Sequence, residues 1–276
     1  MRAVMPGARP ITFRSDYGAT DEFAGVCRAV IARIAPDAQV IDLTHGIPRH
    51  DVARGAAVLA ATLGYAPAGV HLAVVDPGVG SPRKAVAVRV AEEDRLLVGP
   101  DNGLLSAAIE RFGGPVEAVD VSLSAVRLEP ISATFHGRDI FAPVAAHLAL
   151  GTPPGSLGEA LDPAELVALE PPLAEVERER GLVAVVGDVD VFGNAGLIAS
   201  AEAAAEAGLK LGRPLLIEAG GATHEAVYAL TFADVPEGGL LVYLDAAGSL
   251  ALAVNRGSAA ERLGLESADR VALRPG

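Results

Sequence analysis

The feature that most constrains this chain is an alternation, through its first half, of short apolar runs with longer segments of helical periodicity. Ile11, Thr12 and Phe13 read as a short buried strand, followed by the turn Ser15-Asp16-Tyr17-Gly18. Thr20 is placed to cap a helix. Its apolar residues Phe23, Val26, Cys27, Val30, Ile31 and Ile34 recur at i, i+3, i+4, i+7, i+8 and i+11, one helical face. Pro36 ends it. Residues 39–43, 71–75, 85–90, 96–98 and 116–121 read as further strands, and 51–63, 104–112 and 139–150 as helices. Near-continuous apolar strands alternating with helices predict an α/β unit with a mostly parallel sheet covered on both faces.

The pattern changes at 151–180, which carries Pro153, Pro154, Pro163, Pro171 and Pro172 and then a charged run, and reads as a linker. Beyond it, 182–186, 215–218, 226–232, 240–244 and 250–254 are strand-like, the last two flanking a hairpin-length turn at 245–249. A chain of 276 residues fits two domains. The expected division is an α/β domain over 1–165 and a smaller β-rich domain over 166–276.

Composition narrows the function. The most apolar stretch, 56–75, is interrupted by Tyr65, Pro67 and His71, so it cannot span a bilayer as a clean helix. Net charge is −13, which argues against nucleic-acid binding by clustered Lys and Arg while leaving room for a small, even cationic, substrate. The single cysteine, Cys27, permits no internal disulfide or cysteine-based zinc site, and it lies on the apolar helical stripe as a core residue. Residues 1–10 lack a secretory apolar core, so the cytoplasm is the default location.

Polar residues gather at the ends of the predicted strands, where open α/β sheets bind ligands. They are Asp16, Thr44-His45, Asp76, Asp101-Asn102 and His136-Gly137-Arg138-Asp139. The loop 78–83 invites a dinucleotide reading, but Arg83 replaces the third glycine and a strand follows. A tight turn that places Asp76 and Arg83 is the better reading. Asp16, His45, Asp76, His136 and Asp139 are hard-cation ligand types, yet no pair has metal-site spacing, so no metal is expected. No G-x-S-x-G elbow supports a serine hydrolase. Taken singly, each polar residue has a structural role to fill as cap, turn or ion-pair member. Together they are too many for one sheet edge.

Several segments, in order, resemble the S-adenosyl-L-methionine hydroxide adenosyltransferase family, related to the bacterial fluorinases and chlorinases. They are Ser15-Asp16-Tyr17-Gly18, Asp42-Leu43-Thr44-His45, Asp76-Pro77-Gly78-Val79-Gly80 with Arg83, Gly99-Pro100-Asp101-Asn102-Gly103, Thr134-Phe135-His136-Gly137-Arg138-Asp139-Ile140-Phe141-Ala142-Pro143, Asp190-Val191-Phe192-Gly193-Asn194 and Asn255-Arg256-Gly257-Ser258. The resemblance covers nearly the whole chain. It implies a C-terminal β-barrel-like domain and a homotrimer with the active site at the subunit interface. It also implies hydrolysis of S-adenosyl-L-methionine to adenosine and L-methionine without a cofactor. The family's Asp–Arg–His triad falls on Asp76, Arg83 and His136. Its ribose-holding aspartate falls on Asp16, its adenine-facing asparagine on Asn194, and an acid near the methionine amino group on Asp190. Leu197-Ile198, Ala246 and Ala251 depart from the family, which carries a Thr-Asn pair, a serine and a glutamate there.

The chemistry suits these residue types. Water attacks ribose C5′ in line with a sulfur that leaves as a neutral thioether, so the leaving group needs no acid. The difficulty is the nucleophile, which a cationic Arg83 and a proton acceptor, His136 or Asp76, would assist. An ionised Asp16 offers two oxygens to a cis-diol. Two other readings stand beside this one: a halide-using synthase of 5′-halo-adenosine, and a non-catalytic protein that binds an adenosyl ligand.

Overall fold

The computed structural model describes residues 7–170 and 172–276; part of the 1–10 stretch and Pro171 lie outside the described residues. The chain divides into two units, Met1–Leu169 and Glu170–Gly276.

The first unit is built on a seven-stranded sheet. Its strands are β1 (Ile11–Ser15), β2 (Val40–Thr44), β3 (Val70–Val74), β4 (Ala85–Val90), β5 (Leu96–Pro100), β6 (Pro115–Asp120) and β7 (Glu159–Leu161), in the order β2-β1-β3-β5-β4-β6-β7. Strands β2, β1, β3 and β5 pair in parallel, while β4 is antiparallel to both its neighbours and β7 to β6. Five of the seven strands therefore point the same way. Helices α1 (Phe23–Ile34) and α4 (Ala142–Ala149) cover one face, meeting Ile11, Phe13, Leu72 and Val74. Helices α2 (Val52–Leu63) and α3 (Ser106–Arg111) cover the other, meeting Ala73, Val86, Val88 and Leu97. Both faces of the central strands are buried, which is why their sequences are apolar throughout rather than alternating.

Two local expectations are corrected. Thr20 does not cap α1: the helix starts at Phe23 after Glu22, with no side-chain cap. The chain is held as a loop until then, because Gly18 adopts φ +75° and its N–H bonds the carbonyl of His45 at 2.8 Å. The segment 151–180 is not a free linker. Within it β7 pairs with β6 and β8 (Glu175–Glu177) pairs with β9 (Gly181–Val189), while Val167 N bonds Asp101 Oδ1 at 2.9 Å. Pro154 and Pro163 open single 3₁₀ turns, where a fixed φ and a missing N–H carry no penalty. Helix α2 is capped as a helix start should be, Asp51 accepting from Arg54 N at 2.8 Å.

The second unit is a closed barrel of seven strands. Strands β9 (Gly181–Val189), β10 (Ala195–Ser200), β14 (Ser249–Val254), β13 (Leu240–Leu244), β12 (Ala222–Tyr228), β11 (Pro214–Ala219) and β15 (Arg270–Pro275) pair in that circular order, with β8 added outside β9. Leu182, Val186, Leu197, Ile217, Leu252 and Leu273 pack its core. Short helices α5 (Ala201–Glu206) and α6 (Ala259–Leu263) are capped by Ser200 and Ser258. Cys27 is fully buried in the first unit, and burial pushes its thiol up to about 12, so it is a core residue. No helix among the described residues is long and apolar enough to cross a membrane.

Candidate active site

The sheet order places a switch point between β1 and β3. The chain leaves β1 for α1 on one face and leaves β2 for α2 on the other, which opens a crevice at the carboxyl ends of the strands. Asp16 follows β1 directly, and Asp76 lies two residues beyond the end of β3. Asp16 N bonds Val74 O at 3.3 Å, tying the two exits together. A cleft of about 310 Å³ opens there, with Asp16, Tyr17, Arg49, His50, Asp76 and His136 on its walls.

Arg83, at the end of the loop that begins with Asp76, turns back onto it. Its Nε donates to Asp76 Oδ1 at 2.9 Å and its Nη2 to Asp76 Oδ2, a bidentate clamp. Both side chains are nearly buried. The loop can double back because Gly80 adopts φ +79° and passes against the carbonyl of Ala133, where a Cβ would approach to 2.5 Å. The same Nη2 lies 2.9 Å from His136 Nδ1. A guanidinium only donates, so Nδ1 accepts and the neutral ring carries its proton on Nε2. Burial, and then the charge of Arg83, hold His136 below the ordinary histidine range.

His136 stands at the mouth of a π turn, Gly137–Phe141, that leads into α4. Asp139, expected among the polar residues of this edge, does not face the cleft. It is buried and accepts from Arg138 Nε at 2.6 Å and from Ser132 N at 2.7 Å, which fixes the loop that carries His136. Asp101 and Asn102 are likewise structural: Asp101 holds Val167 N, and Asn102 bridges Val75 O and Leu104 N. Among the described residues no three of His, Cys, Asp and Glu gather as a metal-binding group.

Models of two domains match the chain: the SAM hydroxide adenosyltransferase N-terminal domain over residues 11–158 and the SAM hydroxide adenosyltransferase C-terminal domain over 184–272. The chain belongs to the SAM hydroxide adenosyltransferase family. A protein of Salinispora arenicola named (R)-S-adenosyl-L-methionine hydrolase is 49% identical over 96% of this chain and 98% of its own length. A fluorinase of Nocardia brasiliensis is 30% identical over 98% of each. The crystal structure of an uncharacterized conserved protein from Thermotoga maritima superposes with a TM-score of 0.88 at 36% identity, covering 95% of this chain and 99% of that one.

The remaining two candidates, Asp190 and Asn194, share one loop of the barrel unit. Asp190 Oδ1 accepts from the backbone of Phe192 at 2.8 Å and of Asn194 at 2.9 Å, while Oδ2 accepts from Asn194 Nδ2 at 2.8 Å. The carboxylate thus orients the Asn194 amide, leaving its Oδ1 and one N–H to pair with a ligand. A second cleft, of about 400 Å³, is lined there by Asn194, Phe192, Phe232 and Arg256. Of the positions that depart from the family, Leu197 and Ala251 are buried in the barrel and Ala246 is exposed on its hairpin turn. The sequence reading missed His50, whose backbone N–H donates to Asp16 Oδ2 at 3.0 Å. It also missed Tyr17 as a wall residue, although Tyr17 stood in a quoted motif; burial keeps its phenol protonated.

Proposed function

We propose that this chain hydrolyses S-adenosyl-L-methionine to adenosine and L-methionine through attack of water on ribose C5′. The observation that carries the reading is the chain of contacts Asp76–Arg83–His136, whose two ends, Asp76 and His136, line the same cleft as Asp16. Supporting it, the Salinispora arenicola relative of like length is named (R)-S-adenosyl-L-methionine hydrolase, whereas the fluorinase is more distant.

The residues divide the work. Asp16 takes the ribose hydroxyls with the lone pairs that His50 N leaves free. Asn194 pairs with the adenine edge, and Asp190, while orienting it, keeps lone pairs for the methionine ammonium. Arg83, locked by Asp76, sets a fixed positive charge beside the attacking oxygen, and His136 holds that oxygen through its Nε2–H. Because Nε2 is already protonated, the water proton passes to the Asp76 carboxylate, whose further lone pairs Arg83 does not use. The C5′–O bond forms as the C5′–S pair withdraws onto sulfur. The thioether leaves neutral, so no metal, acid or cofactor is assigned a part, and general-base assistance is worth typically ~10²–10⁴-fold.

The working assembly is a homotrimer in the cytoplasm, with the site completed between subunits. Exposed apolar side chains by the barrel loop support a covered surface: Val191, Phe192 and Leu230 are 95%, 76% and 71% exposed. Light scattering should give about three times the chain mass. Incubation with S-adenosyl-L-methionine, with and without chloride, should release adenosine and methionine in equal amounts. A 5′-chloro product in the chloride arm, adenine, S-adenosylhomocysteine, or no turnover would sink the reading.

A further inference from the structure

We infer that His45, which stands outside the cleft wall, is the positioning residue that fixes Asp16 for the ribose diol; the inference rests on the reading of Asp16 given above. Asp16 lies on the loop after β1, and the loop from β2 to α2 holds that loop at two points. At the first, His45 Nδ1 lies 2.8 Å from the hydroxyl of Ser15, the residue before Asp16. That hydroxyl also accepts from the backbone N of Tyr17, the residue after, at 3.2 Å. The serine oxygen takes that N–H on one lone pair and still has its own hydrogen to give. His45 Nε2 lies 3.1 Å from Asp42 Oδ1, off the hydrogen-bond line, and because a carboxylate only accepts, this electrostatic contact places the ring proton on Nε2 and leaves Nδ1 to accept the serine hydrogen. The carbonyl of His45 accepts from Gly18 N at 2.8 Å, and its ring packs edge-on against Phe13, centroids 4.6 Å apart. At the second point, His50 donates its N–H to Asp16 Oδ2 and adopts φ +64°, a conformation uncommon outside glycine.

A serine, a histidine and an aspartate in contact also suggest a nucleophile. Burial excludes that: Ser15 is 0% exposed, and its hydroxyl is taken up by Tyr17 and His45. The hydrogen-bond chain ends inside the loop. Its effect is to set the backbone on both sides of Asp16 while His50 sets one carboxylate oxygen, so the direction of the remaining lone pairs is determined by the loop that follows β2.

The test is calorimetric titration of the full chain with adenosine and with 2′,3′-dideoxyadenosine, which lacks the diol. The wild type should prefer adenosine, and Asp16→Ala should abolish the preference. His45→Phe keeps a ring against Phe13 but removes the acceptor. It should shrink the preference about tenfold, the scale of one hydrogen bond to a charged group, with dideoxyadenosine affinity unchanged. KM for S-adenosyl-L-methionine should rise more than kcat falls. His45→Gln, which restores an acceptor for Ser15, should recover part of the preference. A purely structural role would instead weaken both nucleosides alike. If Asp16→Ala abolishes the preference and His45→Phe leaves it intact, the positioning role is wrong. If Asp16→Ala leaves it intact, the reading of Asp16 fails, and this inference with it. Should His45→Phe not fold, Ser15→Ala, which deletes one hydroxyl, carries the same expectation and the same refutation.

Discussion

His136 Nδ1 sits 2.9 Å from Nη2 of Arg83, a group that can only donate, so the two residues share a hydrogen bond only while the imidazole is neutral. Protonation would remove the acceptor and set two cations against each other. With His136 held below the ordinary histidine range, first by burial and then by Arg83, the neutral form persists under mildly acidic conditions. The acid limb of kcat/KM should therefore fall below pH 6.5. Following the His136 ring by NMR titration should show the same low midpoint, and Arg83→Met should move it upward. A wild-type midpoint at or above the ordinary value would contradict the arrangement.

Arg83→Lys tests the clamp rather than the charge. An ammonium cannot reach both oxygens of Asp76 and His136 Nδ1 in the plane that the guanidinium uses. The expected result is a fall in kcat of roughly 10²-fold with adenosine affinity nearly unchanged, because the group acts on the attacking water. Single-turnover kinetics beside adenosine titration measures both. Near-full kcat in Arg83→Lys would reduce Arg83 to a point charge.

The parts of this site legible in the sequence are those that lie close along the chain or within a specific motif. Asp76 and Arg83 share one loop, so a turn that joins them could be read from glycine and proline alone. His136, which is 53 residues from Arg83 in sequence, was read as a polar residue of this sheet edge, but its pairing with Arg83 came from the Thr134–Pro143 motif and not from any spacing. His45 was noted as a strand-end polar residue, but its grip on Ser15 spans 30 residues and depends on the β1–β2 register. In the barrel, β10 was not read as a strand, since Ala195, Gly196 and Ala199 have weak strand preference and are held by closure between β9 and β14. β15 was not read as a strand either, although Val271 and Leu273, both fully buried, carry the alternation that predicts one.

Gly137 tests how tightly the cleft wall is packed. A Cβ there would collide with Tyr17 Oη, and Gly137 is buried at the start of the π turn. Gly137→Ala should destabilise the fold by about 1–3 kcal/mol in urea unfolding and raise KM as Tyr17 is displaced into the cleft. Adding Tyr17→Phe, which removes the colliding oxygen, should return part of the stability. Unchanged unfolding in the single variant would show that Tyr17 moves aside freely.

His71 governs acid stability from within the first unit, as part of a buried chain of polar groups. Thr12 Oγ1 lies 2.8 Å from Nδ1 and Arg95 Nη1 3.1 Å from Nε2, so the ring accepts from arginine, donates to threonine and must be neutral. Burial and then Arg95 push it down to about 3. The unfolded chain binds this proton near the ordinary 6.5, whereas the folded chain binds it only near 3. The neutral ring's contribution is therefore complete above pH 6.5 and is lost progressively as pH falls toward 3, with a slope approaching about 1.4 kcal/mol per pH unit. His71→Gln can accept from Arg95 and donate to Thr12 without titrating. Urea unfolding at pH 7, 5.5 and 4.5 should show the wild type losing more stability than His71→Gln, with the gap widening as pH falls. Two parallel stability curves would mean that His71 is protonated at no cost and that acid unfolding begins elsewhere.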